Sequence, residues 1–214
     1  MQSHATVYVA SKNFKGKWAA RPVSDAVVVD VTSAQAKASA NRLAFSPMHM
    51  GDASYVSAEE GTFANFEAYW QSLKVVEGLD HAAAKTWWRG ITKAKRRHPK
   101  MAGKKAVVLG ARHERFPGKL LGYVESRKKV YVPDYHAWIK DKSEVAELRA
   151  RAQAGTPLVV YDFDGPRDED KEPIAARVTV ELLRQKIADQ TTPFGHGYVV
   201  AATILGIAPD EYCV

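Results

Sequence analysis

A single predicted helix limits the possible structures of this chain more than any other feature, because it combines aromatic residues with three polar ones on one side. The helix covers residues 63–76. At about 100° per residue, Gln71 and Lys74 lie within roughly 40° of Glu67. The adjoining apolar stripe consists of Phe63, Phe66, Trp70 and Leu73. The pattern therefore places a carboxylate, an amide and an ammonium at the margin of a hydrophobic core.

Two interpretations of this polar side are open. A solvated face with charges at i,i+4 and i,i+7 stabilises a helix slightly and requires no ligand. A binding or catalytic site also places polar groups beside an apolar surface. The opposite side of the helix has small residues, which favour either solvent or close packing: Ala64, Asn65, Ala68 and Ser72.

Length and composition are those of a folded protein. The chain has 214 residues, of which 46% are hydrophobic and 26% are charged, so we expect one domain over residues 1–214. Its single cysteine, Cys213, excludes an intramolecular disulfide and a cysteine-based metal cluster. The N-terminus lacks a secretory pattern and no apolar segment reaches membrane-spanning length, so we expect a cytoplasmic protein without membrane contact.

The basic charge of the chain favours an anionic partner. The formal net charge is +7, and the densest basic stretch lies within residues 93–112, with a second cluster at 127–129. A solvated basic face explains such clusters without any ligand. Contact with phosphate groups, including those of nucleic acid, is the alternative interpretation.

The order of apolar and turn-forming segments predicts a single α+β domain that is rich in helix and has short strands. Its core is expected at about residues 27–207, preceded by an N-terminal extension over 1–26. Strands are predicted at 27–31 and 158–161, and short strands or irregular segments at 106–112 and 120–135. An exposed loop is predicted at 168–173. Besides 63–76, helices are predicted at 82–95, 136–152 with a possible internal start at Ser143, 178–189 and 198–205, and an alanine-rich helix or loop at 33–42.

Two acidic residues follow the strand predicted at 158–161. Asp162 and Asp164 are spaced as in the first motif of haloacid-dehalogenase-type phosphatases, which this segment resembles. That fold needs well over a hundred residues after this motif, whereas 50 residues follow Asp164 here. An acidic turn at a strand end is the simpler interpretation. Either way, we expect both carboxylates at the carboxyl end of a strand, where side chains are available for binding.

A glycine-flanked histidine precedes the last predicted helix. Gly195 and Gly197 would let the backbone approach a ligand, and a helix N-terminus presents N–H groups suited to phosphate. A tight structural turn at His196 is the alternative. His113 and His136 lack metal-ligand spacing, so we expect neither a metal nor another cofactor.

Taken in order, these segments resemble the NADAR superfamily, which includes the YbiA-like N-glycosidases. The segment Phe-Ser-Pro-Met at 45–48 resembles the early Phe-Ser-Asn-Phe element of that family. Residues 66–75 closely resemble its Ser-Glu-His-Tyr-Phe-Gln-Ala-Gln-Lys-Phe signature. Residues 144–149 and the acidic turn resemble its following helix and turn, and 195–197 its late Gly-His-Gly. The resemblance spans about residues 44–207 and implies a NADAR/YbiA-like fold.

The resemblance also implies an activity, because NADAR proteins cleave N-glycosidic bonds. Their substrates are ribosyl-phosphate compounds or ADP-ribose conjugates, such as ADP-ribosylated guanine in nucleic acid. Glu67 would stabilise or attack the ribose cation, and Asp162 or Asp164 would be the second acid or the ribose anchor. The implied ligand contacts are Phe45, Ser46, Trp70, Gln71, Lys74, Arg167, Gly195, His196 and Gly197.

One departure from the family pattern keeps other functions open. After the Gly-His-Gly element the family usually has a further glycine and an asparagine, where this chain has Val199 and Ala201. A non-catalytic module that binds ADP-ribose, NAD or another nucleotide is therefore an alternative. A basic nucleic-acid-binding protein that uses segment 93–112 is another.

Overall fold

The computed structural model describes residues 5–11, 25–32, 39–51, 54–101 and 105–214. They form a mixed α/β protein with more helix than strand. None of the described helices is long and apolar enough to cross a membrane. In chain order the helices and strands are β1 (Val7–Ser11), β2 (Val27–Asp30), α1 (Ala40–Phe45), β3 (Tyr55–Ser57), β4 (Gly61–Phe63), α2 (Phe66–Ser72), β5 (Lys74–Val76), α3 (His81–Arg89), a 3-10 turn (Pro99–Met101), β6 (Val108–Ala111), α4 (Tyr123–Ser126), a π-helix (Arg127–Tyr131), α5 (Val132–Ile139), α6 (Ser143–Gln153), β7 (Leu158–Asp162), β8 (Ala175–Arg177), α7 (Val180–Ala188), α8 (His196–Leu205) and α9 (Pro209–Tyr212).

The chain divides into two compact units. Unit 1 comprises Met1–Ser46 and Val132–Val214, and unit 2 comprises Pro47–Tyr131. The expectation that residues 1–214 form one domain stays a prediction.

Unit 1 contains a four-stranded sheet of described residues in the order β2-β7-β1-β8. Strands β1 and β2 run parallel to β7, and β8 runs antiparallel to β1. The predicted strands at 27–31 and 158–161 are confirmed as β2 and β7. Strand β1 was not predicted, and it corrects the assignment of residues 1–26 to an extension. Its Val7 and Val9 are fully buried, so this part of the segment belongs to the core.

Helix α8 is buried on every side. Its residues from His196 to Ile204 are all buried, and it packs against β1 and β7 as well as α5 and α6. This confirms the predicted apolar helix, which begins two residues earlier than expected. Because a helix that is apolar all round must be enclosed by other elements, α8 forms the centre of unit 1.

Three other assignments change. The short strands or irregular segments expected over 120–135 are wrong from Tyr123 onward, where α4, the π-helix and α5 form. Pro133 did not prevent a helix: it lies two residues after the π-helix, in an uninterrupted helical run from Tyr123 to Ile139, where the hydrogen-bond pattern already departs from that of an α-helix. The helix predicted over 136–152 is two helices, and the internal start at Ser143 is confirmed. Of the helix or loop predicted over 33–42, residues 33–38 lie outside the described residues, and α1 covers Ala40–Phe45.

The helix predicted over 63–76 is too long at both ends. Asn65 caps α2 by accepting a hydrogen bond of 2.8 Å from the N–H of Ala68, so the helix begins at Phe66. The helix ends at Ser72, and the next residues pair with β6 as strand β5. Tertiary pairing of a segment with two valines has therefore replaced the last helical turn. Ala68 and Ser72 are buried, which makes the small side of α2 a close-packing face.

Helix α3 is also shorter than the predicted 82–95. It begins after Asp80, which accepts a hydrogen bond of 2.7 Å from the N–H of Ala83, and its C-cap is Gly90. The dense basic stretch at 93–97 therefore lies outside the helix, and all five of its residues are exposed.

Gly165 lies where a side chain has no room. A Cβ atom at this position would be 2.2 Å from the backbone N of Ser11, at the end of β1. We expect Gly165→Ala to lower the free energy of unfolding by about 3 kcal/mol, because backbone atoms must move to accept the methyl group. Urea denaturation measures this difference. Gly90→Ala is the control, since its new Cβ would be 3.7 Å from the nearest atom; equal stability of the two variants would contradict the close packing at Gly165.

Candidate functional site

In unit 2, Glu67 is held at the beginning of α2. It is the second residue of the helix, and its N–H donates a hydrogen bond of 2.7 Å to the carbonyl of Pro47. Its Oε1 accepts a hydrogen bond of 2.6 Å from Nε2 of Gln71, one turn along the helix. Both side chains are half-buried. The predicted proximity of the carboxylate and the amide is confirmed, and the carboxylate remains accessible to a ligand.

Lys74 joins this pair from β5 rather than from the helix. The predicted position of Lys74 at i,i+7 in the helix was wrong, because α2 ends at Ser72. The turn at Leu73 nevertheless keeps Lys74 beside the helix. Its Nζ lies 5.5 Å from the ring centroid of Trp70. Burial lowers the pKa of Lys74 below its usual value, and the charge of Glu67 offsets only part of this effect. Lys74 therefore gives up its proton more readily than an exposed lysine.

Trp70 supplies an aromatic surface to the same cluster. It is half-buried, and its ring centroid is 5.0 Å from that of Tyr131 at an interplanar angle of 58°. We call Glu67, Trp70, Gln71 and Lys74 the Glu67 cluster. An accessible carboxylate beside an aromatic ring can stabilise a positive charge on a ligand and stack against a planar or sugar ring.

The other side of α2 faces a buried polar network that the sequence did not reveal. The carboxylate of Glu60 is inaccessible; it forms an ion pair with Lys85 and accepts a hydrogen bond of 2.9 Å from the N–H of Glu114. The hydroxyl of Tyr69 lies 3.0 Å from Nε2 of His113. These contacts join residues 25 to 54 positions apart, so no local spacing in the sequence signals them.

The network makes the stability of the protein depend on pH. Burial by itself would raise the pKa of Glu60, but hydrogen bonds from Lys85 and the Glu114 N–H, with the charges of Lys85 and His113, lower it overall. A lowered folded-state pKa stabilises the fold above the unfolded value of about 4.5, and this contribution is lost as the pH falls through the folded-state pKa.

We therefore expect the free energy of unfolding to fall below about pH 4.5 in the native protein, and to fall less steeply in Glu60→Gln. Denaturant titrations between pH 7 and pH 3 give both slopes. Glu77→Gln, a change of an exposed carboxylate in the same unit, serves as the control. Identical slopes for the native protein and Glu60→Gln would show that Glu60 has no such role.

In unit 1, Asp162 lies at the end of β7 and is almost fully buried. Its Oδ1 accepts a hydrogen bond of 2.7 Å from the N–H of Phe163, and its Oδ2 accepts one of 2.9 Å from the N–H of Gly197. The same Oδ2 lies 3.2 Å from Nδ1 of His196, whose Nε2 lies 2.6 Å from the carbonyl oxygen of Val31. Both ring nitrogens thus face oxygen atoms of the chain.

The two glycines of the Gly-His-Gly element make room for this carboxylate. A Cβ atom on Gly195 would lie 2.4 Å from Oδ2 of Asp162, and one on Gly197 would lie 2.7 Å from its Cβ. The sequence interpretation assigned these glycines to a ligand phosphate. The structure gives a different physical reason for them, because the N-terminal N–H of α8 already binds a carboxylate of the chain itself.

Asp162 and Asp164 differ in their surroundings. Asp162 is enclosed and has several hydrogen-bond partners, whereas Asp164 is exposed in the turn after β7. The negative charge of Asp162 also acts on a neighbour: burial first, and then this charge, raises the pKa of Tyr135 well above its usual value. Asp162 therefore has a structural role, and Asp164 is the one of the two that a ligand can reach.

The remaining predicted ligand contacts in unit 1 include both buried and exposed side chains. The side chains of Phe45 and Ser46 are fully buried, and the carbonyl of Phe45 accepts a hydrogen bond from the hydroxyl of Tyr135. Stacking of Phe45 on a ligand would require it to leave the core. Arg167 is exposed, and its Nη1 donates a hydrogen bond of 2.7 Å to the carbonyl of Lys171. It lies at one end of the predicted exposed loop 168–173, which is confirmed.

The predicted residues are thus divided between the two units. Unit 2 holds the Glu67 cluster, and unit 1 holds Phe45, Ser46, Asp162, Asp164, Arg167 and Gly195–Gly197. Among the described residues, no three His, Cys, Asp or Glu side chains are arranged to hold a metal ion.

Comparison with known families gives one match. Residues 11–178 match DUF6939, a family of unknown function, and this span is most of the chain. The chain belongs to DUF6939. The span matched to DUF6939 includes the Glu67 cluster, Asp162 and Asp164, and it ends before Gly195. No curated protein and no solved structure matches the chain.

Proposed function

We propose that this DUF6939 protein is an N-glycosidase that uses Glu67 to cleave the bond between ribose and a base. Its substrate is a ribosyl phosphate or an ADP-ribose conjugate, such as ADP-ribosylated guanine in a nucleotide or in nucleic acid. The proposal rests on one observation: the accessible carboxylate of Glu67 is fixed by Gln71 beside the ammonium of Lys74 and the ring of Trp70.

This arrangement suits the chemistry of the bond. When the C1′–N bond breaks, its electron pair leaves with the base nitrogen and positive charge develops on the ribose. Glu67 stabilises that charge, and water adds its oxygen to C1′ while passing a proton to Lys74, which has by then given its own proton to the base. Lys74 gives a proton to the departing base, which its lowered pKa favours. Trp70 stacks on the base or the ribose.

The test is an assay for released base. The purified protein is incubated with ADP-ribosylated oligonucleotide, with free ADP-ribose conjugates and with phosphorylated ribosylamino-pyrimidines, and free base is measured by mass spectrometry. Release from one substrate class supports the proposal. Calorimetric binding of ADP-ribose without any release would instead identify a non-catalytic nucleotide-binding module. If the protein neither binds nor cleaves a substrate of any of the three classes, both functions are rejected.

A second candidate function, nucleic-acid binding, is favoured by the distribution of charge. Unit 2 contains 16 Lys and Arg and 8 Asp and Glu residues, a formal charge of +8, whereas unit 1 contains 15 and 16, a formal charge of −1. The net positive charge of the protein thus belongs entirely to unit 2. Within the basic segment 93–112, residues 102–104 lie outside the described residues, and the cations at 93–100 are all exposed.

We expect unit 2 to bind single-stranded oligonucleotides with an affinity that falls steeply with salt. Replacement of Lys95, Arg96 and Arg97 by glutamine should weaken binding and reduce the slope of log K against log salt by up to about 2, at roughly 0.7 for each lost phosphate contact. Fluorescence anisotropy at several salt concentrations measures the slope. The control replaces Lys140, Arg151 and Arg177 of unit 1, which removes the same charge; an equal loss there would contradict a specific surface on unit 2.

A further inference from the structure

An exposed apolar surface in unit 2 lies outside the Glu67 cluster. Among the described residues, nine large apolar side chains are exposed, and five of them belong to β6 and the segments beside it. We call these five the β6 surface: Val107, Val108, Leu109, Leu120 and Tyr123. Each is between 47% and 52% accessible. Single exposed apolar residues need no explanation, but a group of this kind indicates an interaction site.

The five residues belong to neighbouring segments. The N–H of Ala111 donates a hydrogen bond of 2.9 Å to the carbonyl of Leu121, and the reverse bond is 2.8 Å long. A Cβ atom on Gly110 would lie 2.8 Å from Cγ of Leu120. Helix α4, which begins at Tyr123, packs against β6. The side chain of Leu120 therefore lies against β6 at Gly110, and the five exposed residues belong to segments that contact one another.

One long edge of β6 is only partly paired. In the two-stranded sheet β6 pairs with β5, and Ala111 lies between Lys74 of β5 and Leu121 on the other side. Within the part of the chain that the structure describes, Val108 to Gly110 have no strand partner on that second side. An edge of this kind offers backbone groups as well as apolar side chains to another chain.

The border of the β6 surface has more cations than carboxylates. Lys105, Arg112 and Lys119 are all exposed. Of the neighbouring carboxylates, Glu114 lies 3.7 Å from Lys85, Glu125 forms an ion pair with Lys129, and Glu77 is exposed beside Val107. We infer that the β6 surface binds a segment of another protein in which apolar side chains are flanked by aspartate or glutamate. The apolar residues would cover Leu109 and Leu120, and the carboxylates would meet the surrounding cations.

Charge and chemistry distinguish this partner from two others. A second copy of the chain would bring Lys105 and Lys119 close to identical cations, which electrostatic repulsion disfavours. Nucleic acid gains affinity from phosphate contacts and from stacking on aromatic rings, whereas four of the five side chains here are aliphatic. The exposed basic residues at 93–97 are the more suitable place for a polyanion, so the two surfaces have different partners.

Selection from a phage-displayed library of random twelve-residue peptides tests the inference on the full-length protein. We expect the enriched peptides to combine Leu, Val or aromatic residues with Asp or Glu. A synthetic peptide of the enriched sequence should bind at least 10-fold more weakly to Leu109→Ser and to Lys105→Glu/Lys119→Glu. Val56→Ser and Lys95→Glu, which change exposed residues of unit 2 outside the β6 surface, should bind as the native protein does.

Three results would overturn the inference. The first is the absence of any peptide whose binding depends on Leu109. The second is self-association in sedimentation velocity that Leu109→Ser abolishes, which would identify a second copy as the partner. The third is oligonucleotide binding that the same variant abolishes. Because the inference is independent of Glu67, Glu67→Gln should bind the selected peptide with unchanged affinity, and circular dichroism checks that each variant is folded.

Discussion

Glu67→Gln should reduce the rate of base release by about 10³-fold while leaving the fold intact. Glutamine keeps the size of the side chain and can still form a hydrogen bond with Gln71, but it has no negative charge to stabilise the ribose cation. Loss of one catalytic acid or base costs roughly 10²- to 10⁴-fold in rate. Single-turnover measurements with the substrate found in the release assay give the rate of the chemical step, and thermal unfolding checks stability.

The control for this variant is Glu77→Gln. Glu77 is an exposed carboxylate in the same unit, directly after β5, so its replacement changes the net charge equally. We expect the control to retain the native rate. A native rate in Glu67→Gln would remove Glu67 from the mechanism. If Glu67→Gln releases base slowly but binds ADP-ribose with unchanged affinity, the result supports the catalytic role, because only the chemical step has then been lost.

Asp162→Ala should have the largest effect on stability of any substitution considered for unit 1. The change leaves the N–H groups of Phe163 and Gly197 without their acceptor and leaves His196 without its carboxylate partner. Removing one member of a buried, charged and hydrogen-bonded set costs about 3–5 kcal/mol of unfolding free energy. Denaturant titration measures the loss.

Asp164→Ala is the matched control, because Asp164 lies two residues away and is exposed. Its unfolding free energy should change by less than about 0.5 kcal/mol. Gly197→Ala gives an independent test, since the added Cβ would displace Asp162; we expect it to destabilise the fold as well. If Asp162→Ala is as stable as the native protein but loses base release, then Asp162 belongs to the chemistry rather than to the fold.

Local sequence patterns predicted the elements that are buried on all sides. The apolar run at 198–205 predicted a buried helix, and 158–161 predicted a buried strand, because such residues must be enclosed wherever they lie. The helix was predicted from residue 63, although Asn65, a favourable N-cap residue, carries the signal for its true start at Phe66. Its end was not readable, because the pairing of β5 with β6 depends on residues more than thirty positions away.

In the candidate site, too, the sequence predicted local contacts but not those between distant segments. The spacing of Glu67 and Gln71 predicted their contact, since both lie on one turn of a helix. Lys74 reaches the cluster through a strand, so its correct placement followed from an incorrect helix. The sequence also identified both Gly195 and Asp162, but it did not connect them. Only the fold shows that the glycine is needed for the buried carboxylate.

By itself, the sequence determined that segments 158–161 and 198–205 are enclosed, that the protein is basic, and which side of α2 bears polar groups. These properties depend on the side chains and on the repeat of the helix, and both can be read locally. The tertiary structure alone decided that Asp162 is buried with His196, that Glu60 is paired with Lys85, and that the β6 surface is exposed. Each of these depends on contacts between residues distant in the chain, whose energies no local pattern contains.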